Sequence, residues 1–335
     1  MLLPTLKYAS LAAFVLLSNS AVFAADEASP EKPVTEQLVD TLTQLSKGPH
    51  KGFRSNHAKG VMVEGSFLPS PEASKLSKAA HLQVAESPVL VRFSNATGVP
   101  TIADADGNAM PKGMAIRFTL PDGGSTDIVA ISVNGFPTAT PEEFLGLLNA
   151  VAASGPEVPS PKPIETFLAT HPAALKFVST PKPVPVSFAV QPFFGVNAFA
   201  FTNAQGQTRY GRYRIMPVSG EKYLSTEDAS KQTPDFLMTE LPARLRKEEA
   251  KYRILVQLAN PEDQTNDPTV IWPEDREQVE LGVLTLKSAK ADSLQAEKTI
   301  LFNPLALPDG IAPSTDPILL ARPGAYAVSF GRRLK

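Results

Sequence analysis

The sequence contains no cysteine. This absence excludes disulfide bonds, metal centres bound by thiolates and cysteine nucleophiles. Neither sign of charge is in large excess, because 32 basic residues stand against 34 acidic ones. A chain with so balanced a charge lacks the basic character that nucleic-acid binding favours, so we expect no nucleic-acid partner.

Long hydrophobic runs are also missing after residue 24, so no transmembrane helix is predicted there. The one apolar run, Tyr8–Leu17, follows Lys7 and precedes small residues that end at Ala24. It is well short of the roughly 20 residues that a membrane anchor needs. This pattern predicts a signal peptide over residues 1–24, and hence a periplasmic or secreted protein that has no membrane anchor after cleavage.

The domain organisation follows from composition. Hydrophobic residues make up 43% of the chain, which is enough to bury a large core. Residues 25–35 are acidic, polar and proline-bearing, and we interpret them as a linker before a single domain over residues 36–335. A domain boundary in the proline-rich stretch over residues 156–185 is the alternative, but these prolines have no regular spacing and indicate an irregular connection.

Hydrophobic periodicity predicts the elements. Apolar residues at helical spacing predict helices over Thr35–Leu45, Pro141–Ala152, Ile164–Ala169 and Asp235–Arg246. Short apolar or alternating runs between turn-forming residues predict a first group of strands: Val61–Leu68, Pro88–Phe93, Gly113–Leu120 and Asp127–Val133. The second predicted group is Val186–Phe188, Gly195–Thr202, Thr208–Met216, Tyr252–Leu258 and Val279–Leu286. The pattern favours the α+β fold class, with a closed antiparallel β-barrel of about eight strands and flanking helices.

One histidine is a candidate for acid–base chemistry. The segment from Arg54 to Gly60 reads Arg-Ser-Asn-His-Ala-Lys-Gly and places His57 just before a predicted strand. Histidine has a pKa near neutrality, so it can accept a proton and return it. A structural role is the commoner one for a lone histidine beside a strand. We interpret the other histidines as surface or packing residues: His50, His81 and His171.

The C-terminal segment carries tyrosine and arginine at helical spacing. If a helix begins at Pro323, then Tyr326, Ser329 and Arg333 share one face of it. Arg322 precedes Tyr326 by four residues and can reach it across one turn. Tyrosine ordinarily titrates near pH 10, so a phenolate that binds a metal benefits from such a positive neighbour. An amphipathic helix with a buried tyrosine is the structural alternative.

These two segments resemble the distal and proximal motifs of the catalase superfamily. The distal resemblance includes the strand Val91-Arg92-Phe93-Ser94, and the proximal one runs from Asp316 to Arg333. Other segments resemble those of the small catalase-related peroxidases: Gly211–Arg214, Asp235–Leu237, Glu240–Leu245 and Asp267–Pro273. The resemblance covers about residues 52–333 of a chain far shorter than a full catalase. It implies that family's fold and its cofactor, haem b (iron protoporphyrin IX).

The resemblance also implies a role for each site residue. His57 would be the acid–base group above the haem, with Ser94 hydrogen-bonded to its remote ring nitrogen. Tyr326 would be the axial ligand of the iron, stabilised as a phenolate by Arg322, which Asp316 would orient. The other implied cofactor-binding residues are Arg54, Arg92 and Arg333 at the propionates, Phe144 on the distal face, and Ser329 on the helix face that carries Tyr326.

The chain departs from full catalases at one distal position. Full catalases carry an asparagine soon after an Asp-Leu-Val segment, and an ungapped alignment places Ile131 there. Asn134 and Asn56 are the two amides that could replace it. Since dismutation requires a second peroxide to be held, loss of this amide favours peroxidase activity, in which an organic electron donor reduces hydrogen peroxide or an organic hydroperoxide, over catalase activity.

Two other functions remain open from the sequence. Related haem proteins rearrange fatty-acid hydroperoxides, and an apolar Ile131 would suit a lipid substrate in such an isomerase or dehydratase. A non-enzymatic periplasmic haem-binding protein is the second alternative. An isomerase needs no electron donor, and a carrier has no need of the pair His57 and Ser94. The oligomeric state, the donor and the preferred peroxide are not predicted.

Overall fold

The computed structural model describes residues 32–335. The predicted signal peptide and residues 25–31 of the predicted linker lie outside the described residues. The helices, in chain order, are α1 Val34–Leu45, α2 Ala73–Leu76, α3 Pro141–Ala152, α4 Pro163–Thr170, α5 Pro172–Ser179, α6 Thr226–Ser230, α7 Phe236–Leu245, α8 Ser293–Thr299 and α9 Pro317–Arg333. The strands are β1 Gly60–Pro69, β2 Ser87–Ser94, β3 Gly113–Thr119, β4 Ser125–Ile131, β5 Phe193–Phe194, β6 Phe199–Thr202, β7 Thr208–Pro217, β8 Ala250–Leu258, β9 Gln278–Ala289 and β10 Ile311–Pro313.

Eight of these strands close into a barrel. They follow one another in the order β1, β2, β3, β4, β5, β7, β8 and β9, each antiparallel to its neighbours, and β9 pairs back with β1. The remaining two, β6 and β10, extend the sheet from β7. The predicted antiparallel barrel is confirmed. Within residues 32–335, no helix combines the length and the apolarity that crossing a bilayer requires.

An aromatic cluster fills part of the barrel core. Phe93 of β2 stacks on Phe188, with ring centroids 5.1 Å apart, and also contacts the rings of Phe193 and Tyr252. All four side chains are buried. The phenol of Tyr252 donates a hydrogen bond to the carbonyl of Phe188, which satisfies its one polar atom. This packing joins three strands that are distant in the sequence.

The strand register aligns one residue from each of five strands in a single row. Gly60 pairs with Ser94, Ser94 with Gly113, Gly113 with Ile131, and Ile131 with Phe194. Residues that pair across strands have side chains on the same face of the sheet. One end of the barrel therefore presents a continuous row in which two members, Gly60 and Gly113, have no side chain.

One predicted helix start and one predicted strand are wrong. The C-terminal helix begins at Pro317, so Pro323 lies inside α9 and not at its start. Asp316 is the N-cap of α9, because its carboxylate accepts hydrogen bonds from the backbone N–H groups of Ile318 and Leu319. Pro317 follows at the first helical position. The predicted strand Val186–Phe188 is absent, because Ser187 instead caps a short 3-10 turn by accepting from the N–H of Ala189.

Candidate active site

A cavity of about 270 Å³ lies between the end of the barrel and three helices, α1, α3 and α9. Its wall is largely hydrocarbon, with Leu38 and Leu42 of α1, Phe144 of α3 and Ile131 of β4 among the lining residues. His57, Ser94, Arg322 and Tyr326 also line it, together with the other residues that the sequence assigned to a site: Arg54, Arg92, Phe144, Ser329 and Arg333. Segments from both ends of the domain therefore meet at one cavity.

His57 lies just before β1 in a left-handed backbone conformation, with φ at +54°. Such a conformation costs a non-glycine residue on the order of 1–3 kcal/mol and persists only where neighbours hold it. Arg92 holds it by donating from a guanidinium nitrogen to the His57 carbonyl, at 2.9 Å, and the N–H of Ala58 donates to the carbonyl of Thr97, at 3.0 Å. These two hydrogen bonds hold the strained backbone in place, and the imidazole of His57 lies in the cavity wall.

The imidazole of His57 is held in its neutral form. Burial lowers the pKa of His57 to about 3, and the guanidinium of Arg92 contributes to this lowering. The Nδ1 atom lies 3.1 Å from the hydroxyl oxygen of Ser94. Since Nδ1 is engaged, Nε2 is the nitrogen that can exchange a proton with a molecule in the cavity.

Gly113 provides the space for this pair. A Cβ atom at position 113 would lie 2.7 Å from the Ser94 hydroxyl and 2.8 Å from His57 Nδ1, closer than atoms can approach. Only glycine permits the observed contact. Gly113 was not among the predicted site residues; a glycine at the start of an apolar strand is a signal for close approach that could have indicated it.

A chain of hydrogen bonds supports Tyr326 on the opposite side. The Nε of Arg322 donates to the phenol oxygen of Tyr326 at 3.0 Å, across one turn of α9. A second guanidinium nitrogen donates to the amide oxygen of Asn197 at 2.7 Å, and the amide nitrogen of Asn197 donates to the carboxylate of Asp316 at 2.7 Å. Asp316 therefore orients Arg322 through Asn197 and not by direct contact. No sequence pattern indicated Asn197.

Three arginines lie at one edge of the cavity, and two of them pair with a single carboxylate. Glu297 lies 2.6 Å from a guanidinium nitrogen of Arg92 and 3.4 Å from one of Arg54. Arg333 instead donates to the carbonyl of Ile300, at 2.7 Å. Burial, followed by the charges of Arg92 and Arg333, lowers the pKa of Arg54 to about 8. This edge carries two more positive charges than negative ones and suits an anionic ligand.

The family model for catalase matches residues 36–334. The chain belongs to the catalase family. It is 36% identical to a catalase-related peroxidase of Mycolicibacterium paratuberculosis, over 89% of this chain and 94% of the relative. It is 33% identical to a catalase-related peroxidase of Synechococcus elongatus, over 90% of this chain and 89% of the relative. The expectation of an enzyme, an oxidoreductase of the peroxidase class, is confirmed.

Solved catalase structures share the fold of this family member. A fungal catalase superposes with a TM-score of 0.75 at 22% identity, over 89% of this chain and 62% of the fungal chain. Catalase A from Saccharomyces cerevisiae superposes with a TM-score of 0.75 at 20% identity, over 89% of this chain and 64% of the yeast chain. This chain is therefore shorter than either of the two solved catalase chains.

The remaining site candidates of this catalase-family chain also have defined positions. The hydroxyl of Ser329 accepts a hydrogen bond from the N–H of Ser55 at 3.1 Å, which ties α9 to the segment that carries His57. The rings of Phe144 and Phe136 lie 5.0 Å apart in the cavity wall. Of the three residues considered for the distal amide position, Ile131 and Asn56 line the cavity and Asn134 does not.

Proposed function

We propose that this chain is a haem b peroxidase that reduces hydrogen peroxide or an organic hydroperoxide with an external organic electron donor, and that its catalase activity is weak. The observation that carries this proposal is the convergence on one cavity of two hydrogen-bonded pairs: His57 with Ser94, and Tyr326 with Arg322. The first pair is suited to moving a proton, and the second to presenting a phenolate to a metal.

The cavity residues fit haem in three respects. The phenol of Tyr326 accepts from a guanidinium, which stabilises the anion that an iron ligand requires. The wall is mainly apolar, as a porphyrin ring needs. The excess of two positive charges at Arg54, Arg92 and Arg333 matches the two carboxylates of a haem. Catalases are haem-dependent, which agrees with this donor set.

When bound, haem iron supplies the electron transfer that cleaves the peroxide O–O bond. The chain's own part is proton movement: Nε2 of His57 takes the proton from one peroxide oxygen and returns it to the departing oxygen. The neutral state of His57, which burial maintains, allows it to begin this step as a base. Each peroxide consumes two electrons and two protons from the donor, and hydrogen peroxide yields two molecules of water.

The preference for an external donor rests on the distal wall. Dismutation requires a second peroxide to be held in the cavity, and a polar group that positions it favours that reaction. Ile131 contributes only hydrocarbon at the position expected for an amide. Among the described residues that line the cavity, Asn56 is the remaining amide on that side, since Asn197 is engaged with Arg322 and Asp316.

Parallel measurement of oxygen evolution and donor oxidation in the haem-loaded protein tests this function. The wild type should oxidise a phenolic donor much faster than it evolves oxygen. Ile131→Asn should raise oxygen evolution about ten- to a hundredfold, since one hydrogen bond in a dry pocket contributes roughly 1–3 kcal/mol, and Ile131→Leu is the matched control. Fast oxygen evolution by the wild type would contradict the proposal.

Two substitutions test the assigned roles. Tyr326→Phe should lose haem or change its spectrum, because phenylalanine offers no oxygen to iron. His57→Ala should retain haem and lose peroxide turnover; full turnover in this variant would favour a haem carrier. Rearranged lipid products formed without any donor would favour a hydroperoxide isomerase.

We also propose export to the periplasm or medium, and the mass of the mature protein tests cleavage after Ala24.

A further inference from the structure

A second cavity, of about 160 Å³, lies against the arginine-rich edge of the first. Its lining residues include Lys51, Phe53, Ala58, Leu294 and Lys298. Arg54 lines both cavities, so the two are adjacent. None of the steps proposed for the peroxide uses this second cavity.

The charge of the second cavity is positive. Within residues 32–335, neither Lys51 nor Lys298 forms an ion pair, and both side chains are exposed. Glu297, the one acidic residue among the described residues of the wall, is already engaged by Arg92 and Arg54. The two ammonium groups are therefore available to an anion from solvent.

The shape of this cavity brings the two lysines near each other and beside apolar surface. Gly52, with φ at +81°, lies between them in the wall, and a Cβ atom there would be 3.4 Å from the Cε of Lys298. The ring of Phe53 and the side chain of Leu294, which is 67% exposed, supply the apolar part. An exposed leucine beside unpaired cations is suited to a ligand with an apolar body and a charged end.

We propose that this second cavity binds the organic electron donor, and that the donor is a small phenolic carboxylate whose anionic group lies between Lys51 and Lys298. The inference rests on the proposed peroxidase function and specifies its donor class. A donor bound here lies beside Arg54, which also lines the peroxide cavity, so an electron can cross without the donor entering that cavity. Two phenolic donors each lose one electron and one proton for every peroxide reduced, and each leaves as a phenoxyl radical.

Equilibrium binding of ferulate, measured by calorimetry without peroxide, tests the site independently of activity. Coniferyl alcohol is the matched neutral probe, because it carries CH₂OH in place of the carboxylate. Ferulate should bind the wild-type protein at least tenfold more tightly than coniferyl alcohol. The double variant Lys51→Glu/Lys298→Glu should lose this preference, whereas Lys247→Glu, a charge reversal at an exposed lysine outside both cavities, should retain it.

Steady-state and rapid kinetics complete the test. In the double variant, KM for ferulate should rise at least tenfold, while KM for coniferyl alcohol and the rate of the first reaction with peroxide stay at wild-type values. Equal ferulate affinity in the double variant and the wild type would overturn the inference whatever the activities are. A wild type that binds ferulate but oxidises no donor would instead refute the proposed function and with it the donor role of the site.

Discussion

At the scale of single residues, the contacts of His57 depend on the absence of a side chain at Gly113. Its imidazole can lie 3.1 Å from the Ser94 hydroxyl only because the residue beside both of them is glycine. Its left-handed backbone is strained, and Arg92 bonds to its carbonyl. The proton transfer proposed for His57 is sensitive to displacements of about 1 Å, which cost on the order of a hundredfold in rate.

Gly113→Ala should therefore slow the reaction with peroxide by about a hundredfold. The added methyl would lie 2.7–2.9 Å from Ser94 and His57, so the pair must move apart. Stopped-flow measurement of the first reaction with peroxide, at equal haem content, is the direct observation. Gly155→Ala is the control, because a Cβ atom there meets nothing within 4 Å. An unchanged rate in Gly113→Ala would show that the His57 contact is unimportant.

His81 shows a different consequence of burial. Its ring packs against Phe67 and Phe118, its Nδ1 atom has no hydrogen-bond partner, and burial lowers its pKa to about 4. Between pH 6.5 and about 4 the unfolded chain binds a proton at this residue that the native protein does not. Native stability is therefore lost as pH falls through this window, by about 3 kcal/mol in total from His81.

Replacing His81 by leucine should flatten that pH dependence. Leucine removes the titrating group and the unpaired nitrogen, so stability at pH 7 should stay within about 1–2 kcal/mol of wild type. Between pH 7 and pH 4, the variant should lose about 3 kcal/mol less free energy of unfolding than wild type. Denaturant unfolding at the two pH values measures the difference. Identical losses in both proteins would show that His81 is protonated in the native state.

At the scale of elements, α9 carries Tyr326, Ser329 and Arg333 along one face, and its start is tied to the site. One oxygen of Asp316 caps the helix, and the other accepts from the amide of Asn197, which in turn accepts from Arg322. The residue that starts the helix thus also begins the chain of hydrogen bonds that ends at the tyrosine. Helix stability and the orientation of Arg322 are coupled through one carboxylate.

Two substitutions at Asp316 should separate these roles. Asp316→Ala removes the cap and leaves the Asn197 amide unpaired, at an expected cost of about 2–4 kcal/mol in the free energy of unfolding. Asp316→Ser can still cap α9 and should recover about 1 kcal/mol of that loss, but it should still bind haem more weakly than wild type. Denaturant unfolding of the apoprotein and haem titration provide the two readouts. Wild-type haem affinity in Asp316→Ser would exclude the link through Asn197.

At the scale of the whole molecule, the arginine cluster joins the N-terminal segment, β2 and the end of α9. Arg54, Arg92 and Arg333 lie near one another, and Glu297 is the only acidic neighbour that they share among residues 32–335. Burial lowers the pKa of Arg333 to about 10, and repulsion from the charge of Arg92 contributes to this lowering. An anion bound at this edge would relieve repulsion among three distant parts of the chain.

Haem should therefore stabilise the whole domain, and its carboxylates should account for part of the effect. A ligand at a thousand times its Kd adds about 4 kcal/mol to the free energy of unfolding, which raises Tm by several degrees. Haem dimethyl ester has no anionic groups and should raise Tm less at equal concentration. Thermal unfolding of the apoprotein with each compound makes the comparison. Equal shifts would indicate that the arginines do not receive the carboxylates.

The sequence by itself determined the features that depend on near neighbours along the chain. Alternating apolar residues predicted β1 to β4, helical spacing predicted α3, and the four-residue separation of Arg322 and Tyr326 predicted their contact. These interactions form within one strand or one helical turn, so the local order of residues is sufficient. The two motifs that indicated a haem site, around His57 and Tyr326, are continuous segments of this kind.

Tertiary structure alone decided the contacts between segments far apart in the chain. Asn197 lies 125 residues from Arg322 and 119 from Asp316, Glu297 lies 205 residues from Arg92, and no periodicity connects such positions. The start of α9 also differed from the sequence prediction, because a cap and packing outweighed the preference of Pro323 for a helix start. Barrel register brought Gly113 beside Ser94, since strand pairing is set by the packing of the entire sheet and not by either strand alone.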